Sequence, residues 1–426
     1  MIQLQSNDLT FSFPALDAEI RTLLEAHIEE SSSAFVEGFL PAARKEIESL
    51  EGHYMYDRRA LAASSTRLDI FSRTQIAEAY RAACLEKLPN RGAQCQVSFQ
   101  RTLRLPDDGK TYPLPAGLGR FPLRSVAGYV DTAPEQWLEK GGVMLPMYQG
   151  EAMWMSFEST IPCAVKIVSG SVNALTGERD LRELDSDPQN YVVVPDQPWL
   201  DGFKINKGTV RQFVAMPVGS GFTVSEQLAK DAEAGGLAIE AFPMKAEPCF
   251  QEFLESELDS IMHDVLTHLL GSGWEGESQM LCSRAAPAMC CESSESFGLG
   301  AGGKIQQEIY ADDHGIDAWS FEHAIRVCIH TCNAMMWRKV TGENPPHPPL
   351  TAAEYTRHHI PWFDFYRDDL EALPETKNLA SIKSVAQVSA AKGLSSWGDE
   401  DEIDPSLVVQ YGNARRPEEI RGWGRE

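Results

Sequence analysis

The sequence predicts an α+β fold: an antiparallel β-sandwich or open barrel in the middle of the chain, flanked by N-terminal and C-terminal helical segments. Three observations lead there. Residues 144–218 run as short apolar stretches broken by glycine, proline and asparagine, the punctuation of consecutive antiparallel strands. Before residue 90 and after residue 246, apolar residues instead recur at three- and four-residue spacing, the mark of amphipathic helix. Composition sets the bound: 43% hydrophobic and 9% aromatic residues in a chain of 426 are enough for a packed core.

Taken in order, the first 93 residues read as helical. Leu16, Ile20, Leu23, Leu24 and Ile28 share one helix face, with Asp17 and Glu19 acidic in the first turn. Residues 34–50 and 74–88 form two further helical stretches. A β domain follows over residues 94–245. In QCQVSFQRTLRL, Cys95, Val97, Phe99, Arg101 and Leu103 alternate onto one face of a half-buried strand. Residues 106–123 are rich in proline and glycine and read as irregular chain, with a tight turn at Asp107-Asp108-Gly109-Lys110.

Residues 153–157 and 163–168 are expected to pair as a hairpin across 159–162. Ser169-Gly170-Ser171 turns the chain into Val172, and Asp201-Gly202 reads as a turn between the apolar anchors Trp199 and Phe203. Phe213-Val214-Ala215-Met216 is apolar on both faces, as a central strand covered on each side should be.

A helical and irregular segment, 246–372, is expected to pack on the β domain. Within it, 250–270 carries a helical stripe and 298–303 (GLGAGG) reads as a turning loop. Residues 304–310 read as a strand and 320–340 as a buried helix. Residues 373–426 turn polar and acidic and read as a loosely held tail, with one helix near 382–392.

Charge excludes some functions. With 62 acidic against 38 basic residues the formal net charge is −24, a surface that repels phosphate backbones and anionic lipid. No run reaches the 18 or more apolar residues of a membrane span, and the N-terminus lacks the basic and apolar regions of a secretory signal. Nine cysteines, an odd number set mostly in apolar runs, point to reduced thiols in a cytoplasmic protein. Nucleic-acid and membrane partners are therefore not expected.

Chemistry-bearing motifs are sparse. The glycine run 298–303 lacks the Lys-Ser or Lys-Thr of a phosphate loop and precedes a strand-like segment where a dinucleotide site needs a helix. His263 and His268 are five apart, not the four of a metal-binding helix pair. Cys328 and Cys332 would share a helix face, with His330 nearby and Cys290 and Cys291 in a serine-rich stretch; packing thiols explain them without a metal. No metal or cofactor is expected. Asp312-Asp313-His314-Gly315 reads most simply as a polar turn.

The candidate ligand-binding residues are Tyr148, Glu151, Trp154, Trp199, Asp201 and Arg211, aromatic faces beside carboxylates and a guanidinium on the predicted sheet. The competing structural explanation is an internal ion pair, Arg211 or Arg101 with Glu151.

PDQPWLDG (195–202), VRQFVAMPVG (210–219), GLGAGGKIQQEIY (298–310) and PWFDFY (361–366) together carry a resemblance. From about residue 94 onward the chain resembles an uncharacterised family of soluble bacterial and fungal proteins, some bearing a membrane-protein label. That resemblance implies no activity, cofactor or catalytic residue.

Three functions are compatible with these readings. The first is a cytoplasmic binding protein holding a polar small molecule or a protein partner on the β domain. The second is a hydrolase-like enzyme using acidic residues and a histidine near the glycine-rich segment. The third is a structural or assembly subunit, with oligomers possible.

Overall fold

The computed structural model describes residues 1–5, 7–50, 68–88, 92–230, 235–257, 261–270, 296–346, 362–365, 371–374, 376–394 and 408–411. The α+β class holds, with mixed sheets that do not close into barrels. The chain divides into two compact units. One is mainly β and comprises Met1–Ser12, Gln94–Pro243 and Cys282–Glu426; the other comprises Phe13–Ala93 and Met244–Leu281.

The β unit opens with β1 (Ile2–Gln5), β2 (Asp8–Ser12) and β3 (Gln94–Thr102). Short strands follow: β4 (Thr111–Tyr112), β5 (Leu114–Pro115), β6 (Gly117–Arg120) and β7 (Arg124–Ser125). Next come β8 (Val143–Pro146), β9 (Ala152–Ser159), β10 (Cys163–Ser169), β11 (Val172–Asn173) and β12 (Val192–Val194). The centre is completed by β13 (Trp199–Leu200), β14 (Gly202–Asn206), β15 (Thr209–Pro217) and β16 (Leu237–Pro243). The remainder are β17 (Phe297–Gln306), β18 (Ile325–Cys332), β19 (Trp362–Phe365) and β20 (Val408–Tyr411).

These strands form a ten-stranded sheet with the path β1-β2-β3-β9-β15-β17-β4, a seven-stranded sheet with the path β11-β10-β16-β18-β8-β7, and a small sheet β20-β19-β5. Pairing is antiparallel except at β17/β4, β18/β8 and β19/β20. In the ten-stranded sheet β14 lies beside β15 and β13 beside β9.

Several expectations are met. Cys95, Val97 and Phe99 on β3, and Leu103 just beyond its end, are buried, as alternation requires. β15 is buried on both faces from Val210 to Pro217. Gly170 turns β10 into β11, where Ser169 lies opposite Val172. The tight turn forms as an Asx turn, Asp108 Oδ1 accepting the Lys110 N–H at 2.9 Å.

Others are corrected. β9 and β10, expected to pair, belong to different sheets: β9 pairs with β3, β13 and β15, and β10 with β11, β12 and β16. Both strands are largely covered on each face, so each needs a sheet of its own neighbours rather than a hairpin mate. Asp201-Gly202 is no hairpin turn either. The chain runs on from β13 into β14, and Gly208, at φ +71°, makes the turn to β15. Residues 106–123, read as irregular, supply β4, β5 and β6. The first twelve residues are strands rather than helical chain.

The largest correction concerns GLGAGG. It is not a loop but most of β17, paired along its length with β15. Glycine is needed here for close approach, not for its freedom to turn. A Cβ on Gly300 would lie 3.0 Å from Met216 Cγ, the Phe222 carbonyl and Val385 Cγ2, and one on Gly298 would lie 2.8 Å from Thr223 Cγ2. Bare backbone lets the helices Val224–Leu228 and Val385–Ala391 sit against the strand. The second of these helices is the one expected near 382–392, and it packs on β17 rather than lying in a loosely held tail. Residues 320–340 likewise split into β18 and the helix Ala334–Thr341, capped by Asn333. An all-apolar run does not distinguish helix from strand by periodicity.

The second unit is helical: Pro14–Leu50, Arg73–Glu86, Ala246–Glu257 and Ile261–Leu270. Leu16, Ile20, Leu24 and Ile28 are buried along the first helix as predicted. That helix runs on without a break through residues 34–50, read as a further helical stretch, with Ser31 Oγ bonding back to the His27 carbonyl at 2.7 Å. A Ser72/Gln75 capping box starts the second helix, and Tyr80 stacks on Phe35 with ring centroids 4.2 Å apart. The stripe over 250–270 belongs to two helices, not one.

Candidate functional site

The six residues proposed from sequence are buried or half-buried in the β unit, and each is engaged internally. Glu151, fully buried at the start of β9, takes Arg101 Nε at 2.8 Å and Arg101 NH2 at 2.6 Å on one oxygen, and the Tyr148 N–H at 2.8 Å on the other. Burial pushes the Glu151 carboxyl above its usual range even against the attraction of Arg101. Tyr148 donates its hydroxyl to the Pro346 carbonyl at 2.7 Å. Asp201 accepts Gln307 Nε2 at 3.0 Å, and that same amide donates to the Trp199 carbonyl at 3.3 Å.

Trp154 and Trp199 share a face, since Trp199 lies opposite Ser156, two residues along β9 from Trp154. Arg211 does not join them. Phe213 lies opposite Met153, so alternation along β15 puts Arg211 on the other face from Trp154. There Arg211 reaches Asp107 Oδ1 at 3.2 Å and the Gly302 carbonyl at 2.9 Å. The ion pair at Glu151 is the Arg101 one that the structural explanation named.

The histidine and cysteine candidates are structural as well. His330 bonds through Nε2 to the Gly141 carbonyl at 2.8 Å and stacks on Trp137, and burial lowers its pKa. Cys328 and Cys332 lie on a strand, not a helix. Asp312 closes its predicted turn through the His314 N–H at 2.8 Å and also accepts the Tyr191 hydroxyl at 2.5 Å and Trp319 Nε1 at 2.9 Å. His268 pairs with Glu86 at 3.0 Å. Among the described residues no group of His, Cys, Asp and Glu could hold a metal ion. Cys290 and Cys291 lie outside the described residues.

Two lysines that sequence reasoning passed over lie deeper. Lys166 on β10 is 1% exposed and faces Glu240 across the strand pair, which in turn faces Arg326 on β18. Lys166 Nζ is 2.6 Å from Asp180 and 3.9 Å from Glu240, and Arg326 closes the square at 2.8 Å and 2.6 Å from the same two carboxylates. Burial opposes ionisation of Asp180, but the hydrogen bonds from Lys166 and Arg326 outweigh it and hold its pKa below the usual range. Two cations meet two anions, and the network is neutral.

Lys204 on β14 is 3% exposed, and its situation is different. Its Nζ hydrogen-bonds the Pro374 carbonyl, and among the described residues no carboxylate pairs with it. Burial alone lowers its pKa to about 8. The backbone around it is fixed: Lys204 N donates to the Ala174 carbonyl at 3.1 Å, and Thr376 Oγ1 reaches the carbonyls of Leu175 and Lys204 at 3.2 and 3.3 Å. A strand irregularity lies between Lys204 and Asn206, where β14 slips register against β15. Such bulges re-aim side chains and gather near functional sites.

The covering segment is fastened too. Leu373 N donates to the Ile309 carbonyl at 2.7 Å and Ala311 N to the Glu371 carbonyl at 2.6 Å. The helix Lys377–Ala380 then lies over β14, with Leu379 against Gly177.

Comparison with family models, with curated proteins and with solved structures finds no match. Function must therefore be argued from the chain's own chemistry. Among the described residues no helix is long and apolar enough to cross a membrane.

Proposed function

We propose that the chain is a binding protein that holds a small anionic molecule in the β unit, with Lys204 as the anchoring charge. One observation carries the reading: an ammonium buried in an acidic protein whose partner, among the described residues, is a neutral carbonyl. A buried charge without a counter-charge costs free energy, and an anion beside it recovers part of that cost. Elsewhere in the same unit the buried Lys166 and Arg211 and the half-buried Arg101 each have a carboxylate. Carboxylate or phosphate groups are the natural ligands of such an amine.

Native mass spectrometry of the full chain with a panel of small carboxylates and phosphate monoesters tests this. One-to-one binding that weakens at least tenfold in Lys204→Met is the expected result. A ligand bound equally well by Lys204→Met overturns the assignment.

A further inference from the structure

We propose that Arg211 and Lys304 form a second anion site, separate from Lys204, that takes a phosphate group at the open rim of the ten-stranded sheet. Arg211 on β15 and Lys304 on β17 lie directly opposite each other, so the fold sets two cations side by side on one face. Like charges in that position repel unless an anion lies between them. The described residues give the pair one carboxylate. Asp107 Oδ1 takes Arg211 NH1 at 3.2 Å, while Lys304 Nζ meets the neutral Gly109 carbonyl at 3.3 Å. Asp108, next in the chain, is committed elsewhere: it accepts the Lys110 N–H at 2.9 Å and the Tyr112 hydroxyl at 2.7 Å, and pairs with Lys110 Nζ at 3.4 Å.

This place is reached from solvent. Lys304 is half-buried, and residues 108–111 beside it are exposed, Thr111 pairing with Lys304 across β4 and β17. A bulge shapes it. From Arg211 to Phe213 β15 advances two residues while β17 advances three, from Lys304 to Ala301, and the extra residue falls at Gly302-Gly303. A Cβ on Gly303 would lie 2.4 Å from the Pro106 carbonyl oxygen. Bare backbone thus lets the 105–110 stretch pass close, with Asp107 at Arg211 and Gly109 at Lys304. Among the described residues both contacts of Arg211 fall on NH1, to Asp107 and to the Gly302 carbonyl. The Nε and NH2 hydrogens of the fork remain for a further acceptor.

A phosphate suits this arrangement better than another carboxylate. Its charge approaches two at neutral pH, and its oxygens can meet the planar guanidinium and the lysine point charge together. Directly opposite residues have Cα atoms about 5 Å apart, a spacing that one phosphate held by two long side chains can bridge. Lys204 cannot share the ligand. It lies opposite Val210, one residue from Arg211, and so belongs to the other face of the sheet.

Titration calorimetry of the full chain at low ionic strength tests the site, using Lys204→Met as the parent so that the other amine takes no part. Inorganic phosphate and glycerol 3-phosphate are titrated separately, which tells a site for the free ion from one for a phosphate monoester. One-to-one binding of either probe that weakens at least about tenfold on adding Lys304→Met, and is kept by Lys304→Arg, is the expected result. Because no described carboxylate pairs with Lys304, Lys304→Met should leave the thermal midpoint in phosphate-free buffer unchanged or higher. Phosphate should then raise the midpoint of the parent more than that of the double variant. Binding equally strong after Lys304→Met, or no heat from either probe, overturns the proposal. The two readings fail separately, since phosphate bound by Lys204→Met bears on the rim alone and carboxylate binding lost in Lys204→Met bears on Lys204 alone.

Discussion

Lys166 and Lys204 look alike in the sequence, as Ala-Val-Lys-Ile-Val and Gly-Phe-Lys-Ile-Asn, yet the fold treats them in opposite ways. Each is the single charged residue of its strand, and both end almost fully buried. Lys166 is set in the seven-stranded sheet, where three adjacent strands place Lys166, Glu240 and Arg326 in one row. Lys204 is set in the ten-stranded sheet beneath a segment that offers it a backbone carbonyl. The difference teaches that burial alone does not mark a functional charge. What matters is whether the fold also supplies the opposite charge, as it does for Lys166 and, among the described residues, does not for Lys204.

The largest effect should come from breaking the satisfied member. Lys166→Met leaves Asp180 and Glu240 sharing Arg326 and should cost about 3–5 kcal/mol in urea unfolding. Removing the anion as well, in Lys166→Met with Glu240→Met, should recover at least half of that loss. If it does not, the cost comes from packing and not from charge. Lys204→Met should go the other way and raise stability at pH 7 by on the order of 1 kcal/mol, since it removes a charge that no described carboxylate matches, along with one hydrogen bond. A loss of several kcal/mol instead would show Lys204 to be structural like Lys166.

A pH dependence also separates the two. The folded amine of Lys204 titrates near 8, below the ordinary lysine value. Between that pH and about 10.4 the unfolded chain binds more protons, so this group's contribution to stability rises with pH. The advantage of Lys204→Met should therefore shrink between pH 8 and 10. The Lys166 network responds at the acid end. The lowered pKa of Asp180 gives stability that is full above the unfolded value near 4 and is lost as pH falls through the folded value. Unfolding midpoints of wild type, Lys166→Met and Lys204→Met across pH 3–10 read both arms.

Local pattern made much of the fold legible. β3, β15 and the helix Pro14–Leu50 were readable because alternation and three-four spacing report which face is buried. Pattern failed where the deciding neighbour is remote. Glycines are rare in strands, so GLGAGG read as a loop; the reason for them, helices pressed on β17, includes Val385, about 85 residues on. β9 and β10 were assigned to one hairpin because consecutive strands usually pair, whereas here the chain changes sheets at residues 160–162.

The proposed aromatic site was legible only as residue types. Trp154 and Trp199 do share a face, but Glu151 was already met by Arg101 and Arg211 by Asp107. Lys204 was missed because a lysine in a strand reads as solvent-facing. The segment that covers it comes about 170 residues later.

The placement of β1 and β2 has a consequence for biosynthesis. Asp8 to Ser12 pair with residues 94–98, so β2 waits for more than eighty residues of synthesis before meeting its mate. The helices Pro14–Leu50 and Arg73–Glu86 wait longer still, because their unit is completed by Met244–Leu281. Neither unit is a continuous stretch of chain, so assembly is deferred until most of the polypeptide has been made, and the nascent apolar segments need shielding meanwhile.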